Sequence, residues 1–141
     1  MNILKVLTKR RILGNFGERA ARRYLKRNGY RILKKNFVTD AGEIDIIARK
    51  GDITAIVEVK TRTLGTGSIT EPRPSASVTK EKQRKLISAA KIYRTQFSFE
   101  GKIRFDVIEV YTESTLSGSR VSEIKHLPGA FDFNTAHQKR R

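Results

Sequence analysis

The spacing of apolar residues divides most of the chain into two helices and four strands. Between Gly14 and Gly29, apolar residues recur every three or four positions with basic residues between them, which predicts an amphipathic helix. The same spacing predicts a second helix over 79–96. Shorter runs rich in Ile and Val predict strands at 30–37, 43–50, 53–61 and 103–111.

The order of these elements, α-β-β-β-α-β, predicts an α/β protein with a mixed β-sheet flanked by helices. Short turns between the first three strands favour an antiparallel meander, and the second helix favours a right-handed parallel crossover to the fourth strand. Residues 62–77 are rich in Gly, Ser, Thr and Pro and predict a long loop. After Gly118 we expect mostly loop, with a short strand near 121–125.

The net charge of the chain indicates which kinds of molecule it could bind. The chain of 141 residues has 30 Lys and Arg against 14 Asp and Glu, a net charge of +16. Twelve of the basic residues, but only one acid, Glu18, lie in the first 35 positions. Such a surface favours polyanions, nucleic acid above all, although a solubility surface is an alternative. An anionic membrane is the weaker candidate, because the basic helix lacks a broad apolar face.

Several classes of protein are excluded by what the chain lacks. With no Cys, it cannot form disulfides, thiolate metal sites or Cys nucleophiles. No apolar run reaches the length of about 18 residues that a membrane span needs. The first residues do not have the order of a secretory signal, since eight residues precede the basic trio at 9–11. We therefore expect a cytoplasmic protein of one domain.

The stretch from Gly42 to Lys60 carries the candidate chemistry. Gly51-Asp52 suits a two-residue hairpin turn, and residues whose numbers sum to 103 then face each other. One face of this hairpin is apolar, with the pairs Ile44/Val59, Ile46/Val57 and Ala48/Ala55. The other face carries the pairs Ile47/Ile56, Asp45/Glu58 and Glu43/Lys60.

The opposed carboxylates of Asp45 and Glu58 need a compensating interaction, because like charges facing each other across a sheet destabilise it. A shared proton, a divalent cation such as Mg²⁺, or Lys60 would supply it. The alternative is an exposed sheet face with alternating charges, where Lys60 pairs with Glu43. Glu18 is open to two interpretations: a helix capping box with Asn15, or a third carboxylate beside the other two.

Two resemblances rest on these residues. An Asp on the second strand and E-V-K on the third (58–60) resemble the PD-(D/E)xK nuclease superfamily, with Ile44 where its name expects Pro. A wider pattern resembles the bacterial YraN-type family, which is regarded as a distant relative of Holliday junction resolvases with a restriction-endonuclease-like core. Its motifs are G-x-x-G-E (14–18), Y-L (24–25), G-Y-R-I-L (29–33), G-E-I-D-I-I-A (42–48), V-E-V-K-T-R (57–62), V-T-x-x-K (78–82), R-F-D-V (104–107) and G-A-F (129–131).

The resemblance implies metal-dependent hydrolysis of phosphodiesters by a DNA endonuclease, with branched DNA as one candidate substrate. It implies Glu18, Asp45, Glu58 and Lys60 as the catalytic residues. The metal, Mg²⁺ with Mn²⁺ as an alternative, would be held by Asp45, Glu58 and the backbone carbonyl of Val59. A non-catalytic nucleic-acid-binding module with the same fold remains the alternative function.

The remaining predictions concern boundaries and partners. We divide the chain into a basic segment (1–13), a nuclease-like domain (14–131) and a basic tail (132–141). We expect DNA as the partner, with RNA left open, no membrane, and a homodimer as one option. The expected phosphate contacts are Arg19, Arg22, Arg23, Lys26, Arg62, Lys82 and Lys85. We also expect Asp45, Glu58 and Lys60 on one side of the sheet, with Glu18 over them, and Asp106 as a structural acid.

Overall fold

A computed structural model describes residues 2–64 and 78–134, and in these ranges two helices and five strands follow one another. Their bounds are α1 (Ile3–Arg27), β1 (Arg31–Thr39), β2 (Gly42–Lys50), β3 (Ile53–Thr63), α2 (Lys80–Gln96), β4 (Lys102–Thr115) and β5 (Gly118–Phe131). Most of the predicted loop at 62–77 and of the tail at 132–141 lies outside the described residues, so the division into segments stays a prediction.

The strands form one mixed sheet in the order β1-β2-β3-β4-β5. β1, β2 and β3 pair antiparallel, β3 and β4 pair parallel, and β4 and β5 pair antiparallel. This arrangement confirms the predicted α/β fold with the order α-β-β-β-α-β and adds a fifth strand. No helix in residues 2–64 and 78–134 is long and apolar enough to cross a membrane.

The prediction of a mostly irregular segment after Gly118 was wrong. β5 is 14 residues long and pairs with β4 from Thr115↔Gly118 to Phe105↔Phe131. It is an edge strand with mainly exposed residues, so its sequence lacks the apolar run of a buried strand. Its Pro128 is tolerated because an edge strand needs hydrogen bonds on one side only.

The expected start of the first helix at Gly14 was also wrong, because α1 begins at Ile3. Its N-cap is Asn2, whose side chain accepts a hydrogen bond from the backbone N–H of Leu4 at 3.0 Å. Asn15 lies inside the helix, so it does not cap it and the capping-box interpretation of Glu18 fails. Gly14, which suggested the start of the helix, is an interior residue of α1.

Gly17 allows α1 to approach β3 closely. A Cβ atom built on Gly17 would collide with the hydroxyl of Thr61 on β3, whereas one built on Gly14 would meet nothing within 4 Å. A missing side chain in a helix costs about 1 kcal/mol in propensity, so Gly17 is a packing requirement rather than a preference of the helix. The contact brings Glu18, the next residue, against the sheet.

The helices cover opposite faces of the sheet. Ala21 and Leu25 of α1 pack with Ile46, Ala48, Ala55, Val57, Val59, Ile108 and Val110. Residues of α2, among them Leu86 and Tyr93, pack with Ile44, Ile47, Ile56, Phe105 and Val107. These two apolar layers form the core. Glu58 and Lys60 alternate with Val57 and Val59 along β3, so Glu58 and Lys60 lie on the face that carries α2.

A buried polar network joins β4 to β5. Asp106 has no exposed surface and accepts hydrogen bonds from Arg104 (Nε and Nη2, both 2.8 Å), His126 (Nε2, 2.8 Å) and the backbone of Gly129 (3.1 Å). Burial alone would raise the pKa of Asp106, but the hydrogen bonds from His126 and Arg104 hold that pKa below its usual value. Asp106 is therefore a structural acid, as expected.

We predict that Gly17→Leu destabilises the protein by about 1–3 kcal/mol, because the new side chain must push α1 away from Thr61. The matched control is Gly14→Leu, which meets open space in the same helix and should stabilise the protein by up to about 1 kcal/mol through helix propensity. Chemical denaturation measures both free energies of unfolding. Equal effects of the two substitutions would contradict the close approach.

Candidate active site

The antiparallel ladder between β2 and β3 ends where the acidic residues begin. The predicted register, with pairs summing to 103, is confirmed from Lys50↔Ile53 to Ile46↔Val57. Gly51 in the connecting turn has a φ of 62°, as such two-residue turns require. The next residue of β2, Asp45, does not continue the ladder: its Oδ2 accepts a hydrogen bond from the Val59 N–H at 2.9 Å. A side-chain carboxylate thus replaces a backbone acceptor.

The alternation of β2 breaks at Asp45. Ile46 packs on the α1 side, but Ile44, two residues away, packs on the α2 side with Ile47. The prediction that Ile44 shares a face with Ile46 and Val59 was therefore wrong. On β1 the residue opposite this break is Asn36, which has a φ of 51°, in the left-handed region. Irregularities of this kind re-aim a side chain, and here Asp45 is turned into the space between β2 and β3.

Glu58 is the most constrained of the candidate acids. It is 5% exposed, and its Oε1 lies 3.4 Å from Lys60 Nζ and 4.0 Å from Lys82 Nζ. Its Oε2 is buried without a hydrogen-bond partner. Burial, followed by the charge of Asp45, raises the pKa of Glu58 to about 7, against the opposing effect of the two lysines.

Glu18 of α1 lies close to the same acidic residues of β2 and β3, which we call the acid cluster (Glu18, Asp45 and Glu58). Burial raises its pKa to about 7, and the charges of Asp45 and Glu43 add to the rise, as does a hydrogen bond with the Asp45 side chain. Arg22, one turn along the helix, acts in the opposite direction. Burial is thus the main cause of the raised pKa of both Glu18 and Glu58, and the charge of Asp45 adds to it in each case.

The four predicted catalytic residues are thus brought together, although not on one face. Glu58 and Lys60 lie on the α2 side, Glu18 comes from the α1 side, and Asp45 interacts with both acids at the gap between the strands. The predicted Glu43–Lys60 pair was wrong, because the β2–β3 ladder ends before these two residues. Lys60 forms an ion pair with Glu58 instead, and the charge of Glu43 raises the pKa of Glu18. The catalytic roles themselves stay predictions.

The donor set fits a hard divalent cation. The buried, unpartnered Glu58 Oε2 and the crowded Asp45 carboxylate offer oxygen ligands where added positive charge would relieve repulsion. Within the described ranges no three acidic or histidine side chains form a ready cluster for a metal. Mg²⁺ does not need one, since it usually keeps several waters and binds through one or two carboxylates. The role of the Val59 carbonyl stays a prediction.

The predicted phosphate contacts fall into two groups. Lys82 and Lys85 lie in the first turns of α2, where Lys82 borders Glu58 and Lys85 lies 3.9 Å from Glu81. Arg62, at the end of β3, is half-buried, and its Nε is buried without a partner. The other group lies on α1: Arg22 beside Glu18, and the exposed Arg19, Arg23 and Lys26.

A second buried acid, which was not predicted from the sequence, lies next to the site. Glu109 is 1% exposed, accepts a hydrogen bond from the Tyr111 hydroxyl, and lies beside Lys60 in the parallel register of β3 and β4. Its signal was weak: a Glu and a Tyr two positions apart within a run of Val and Ile. That spacing placed both on one face, but only the register shows that the face continues that of Lys60.

The fold and the site together define a class of protein. It is an α/β protein whose acidic side chains lie where the antiparallel strands β2 and β3 separate, next to the parallel pair β3 and β4. The chain belongs to the uncharacterised protein family UPF0102, whose family model matches residues 17–110, and the YraN-type resemblance is thereby confirmed. Similar proteins carry the same family name. One from Myxococcus xanthus is 39% identical over 124 residues (87% of this chain, 91% of the relative). One from Geobacter metallireducens is 42% identical over 122 residues (86% and 93%).

We predict that in EDTA the free energy of unfolding falls as pH rises from about 5 to about 7.5. The unfolded state releases the protons of Glu18 and Glu58 near 4.5, whereas the folded state keeps them until about 7, so the folded state binds more protons in this range. The slope stays below about 1.4 kcal/mol per pH unit and group, since solvent screens the half-exposed Glu18.

Denaturation at several pH values tests this prediction with Glu18→Gln and Glu58→Gln, each of which should flatten the slope. Glu100→Gln, at an exposed position, is the matched control and should keep the slope of the parent. If both site variants show the pH dependence of the parent, the crowding of the carboxylates has no consequence for stability.

Proposed function

We propose that the chain is a nucleic-acid-binding protein that hydrolyses phosphodiester bonds in DNA with a divalent metal, with branched DNA as its candidate substrate. The observation that carries this proposal is that Asp45 interacts with both Glu18 and Glu58, whose Oε2 is buried without a hydrogen-bond partner, and that Lys60 lies beside Glu58. A chain with a net charge of +16 gains no solubility from gathering three of its 14 acids at one point. A cation and a phosphate together would balance the cluster.

Asp45, Glu58 and the Val59 carbonyl would hold Mg²⁺ or Mn²⁺. Bound there, the metal would neutralise charge on the phosphate and lower the pKa of a bound water. Asp45 is already oriented for this role, because the Val59 N–H holds its Oδ2 at 2.9 Å. A carboxylate fixed in this way loses little rotamer freedom when a ligand arrives.

Lys60 and Glu18 have complementary roles in the proposed reaction. The Lys60 side chain is 27% exposed, so its ammonium can reach a phosphate from solvent while it stays 3.4 Å from Glu58. There it would stabilise the negative charge that develops on the phosphate oxygens. Glu18, with its pKa near 7, can take up a proton from an attacking water at neutral pH.

One observation favours the alternative of a non-catalytic binding module. Lys60 and Lys82 both approach Glu58 Oε1, and together they offset its charge without a metal. In a binding module these ion pairs would be permanent, whereas in an enzyme Lys82 would exchange Glu58 for the substrate phosphate. Cleavage and binding assays distinguish the enzyme from the binding module. Sedimentation with and without DNA tests whether the protein forms a homodimer.

We predict that the protein cleaves at least one of branched, single-stranded or duplex DNA in the presence of Mg²⁺ or Mn²⁺, and none of them in EDTA. RNA of matched sequence tests whether DNA or RNA is the substrate. Asp45→Asn, Glu58→Gln and Lys60→Met should each lower the rate about 100-fold or more, because the first two remove a proposed metal ligand and the third removes the charge proposed to stabilise the phosphate in the transition state. Binding in EDTA should change less than about threefold, since it depends on the basic surface.

The matched controls are Glu100→Gln and Lys91→Met, which change the same residue types at exposed positions away from the cluster. Both should cleave like the parent. Metal-dependent cleavage that survives Asp45→Asn refutes the assigned site. Tight binding without cleavage of any substrate supports the binding module.

We further predict that DNA binding weakens steeply with salt, because each contact between a basic side chain and a phosphate releases condensed counterions. Replacing Arg19, Arg22 or Lys26 by Gln should each lower the slope of log K against log[salt] by about 1. Titrations between 50 and 300 mM KCl measure the slope, with Arg31→Gln as the control at an exposed position of β1. An affinity independent of salt would contradict a phosphate-binding surface.

A further inference from the structure

A cavity of about 330 Å³ lies between α1 and β5, away from the acid cluster. Phe16, Arg19, Ala20, Arg23, Tyr24 and Arg27 line it from α1, and Val121 and Ile124 from β5. Glu18 and Ala20 are two residues apart and hence about 200° apart around the helix. The cavity and the acid cluster therefore lie on opposite flanks of α1, separated by roughly the 10 Å width of one helix.

The cavity combines an apolar, aromatic wall with a cationic rim. Phe16, Tyr24, Val121 and Ile124 supply apolar surface, and Tyr24 is held in place because its hydroxyl lies 3.3 Å from His126 Nδ1. Because His126 in turn bonds to the buried Asp106, the Tyr24 ring is anchored to the core.

Arg19, Arg23 and Arg27 recur every four residues and so form one ridge along the rim. The structure records no ion pair for any of these three arginines within residues 2–64 and 78–134. Three charges without internal partners beside an apolar cavity favour an occupant that is flat and apolar in one part and repeatedly anionic in another.

We propose that this cavity binds an unstacked nucleobase, while the arginine ridge holds the phosphates on either side of it. A base offers a π-face for Phe16, Tyr24 and the guanidinium planes, and its strand supplies the anionic groups. A neutral apolar ligand would leave the three arginines without partners. This inference rests on the proposed function, since the strand in the cavity would cross α1 to reach Glu18 and Asp45.

The consequence is selectivity for nucleic acid with unpaired bases. A paired base stays in the stack and cannot enter a cavity closed by a helix and a strand, whereas a base at a junction, bulge or single strand can. The distance across α1 corresponds to a few nucleotides of single strand. The cavity would therefore position an unpaired base a short way from the phosphate at the acid cluster.

The test uses the full chain in EDTA, so that no cleavage occurs. A duplex with one unpaired 2-aminopurine is compared with the same duplex in which 2-aminopurine is paired. For the parent we expect at least about tenfold tighter binding of the unpaired duplex by anisotropy, and quenched 2-aminopurine fluorescence because the base stacks on aromatic side chains. Equal affinity for both duplexes would overturn the proposal.

Two variants locate the effect. Val121→Trp fills the cavity without changing charge and should reduce the preference to less than about twofold, with affinity for the paired duplex unchanged. Ile92→Trp is the matched control, since Ile92 on α2 is 38% exposed and Val121 is 37% exposed. Arg23→Gln should lower the preference as well, whereas Lys91→Gln, at an exposed position of α2, should not.

Failure of this inference and failure of the proposed function give different results. A preference that persists in both Val121→Trp and Arg23→Gln places the base elsewhere and overturns the inference, whatever the cleavage assay shows. A preference that both variants abolish supports it, even if no DNA is cleaved. A parent that binds neither duplex refutes the inference and DNA binding together. Thermal unfolding of each variant confirms that it is folded.

Discussion

The hydrogen bond from the Val59 N–H to Asp45 Oδ2 is the interaction on which the candidate site depends. It ends the β2–β3 ladder with a carboxylate, so the strands part without leaving a buried N–H unsatisfied. Glu58 and Lys60 are then presented beside a gap rather than within a closed sheet. Glu18 can reach that gap only because Gly17 lets α1 lie against Thr61. An ordinary continuation of the hairpin would have turned Asp45 to the α2 side, opposite Glu58 and away from Glu18 on the α1 side.

The sequence determined the main elements, and the structure shows why some boundaries did not follow from it. The hairpin register and the crossover helix were predictable because apolar alternation and the Gly51-Asp52 turn are local signals. The start of α1 was not, since Gly14 followed by Asn15 resembles a helix start although both residues lie inside α1. β5 was missed because an edge strand needs no apolar run and because the strand forms by pairing with β4, which its own sequence does not indicate.

For the site, the residue identities were predictable but their arrangement was not. A regular register placed Asp45 directly opposite Glu58 and on one face with Lys60, but the break in β2 at Ile44 and Asp45 depends on tertiary packing, to which Ile44 contributes on the α2 side. Glu109 and Lys82 lie near Glu58 and Lys60 only through the parallel pairing of β4 and the entry of α2. Contacts between elements distant in sequence have no local pattern from which to infer them.

The contact of Tyr24 with His126 joins residues 102 positions apart. Closing so long a stretch of chain costs more entropy than forming the β2–β3 hairpin, whose partners are neighbours. The acids of the hairpin can therefore come together early in folding, whereas the floor of the cavity between α1 and β5 exists only once both ends of the described chain have met. Local opening of the native protein follows the reverse order: detachment of β5, an edge strand, would remove the cavity while the hairpin remained intact.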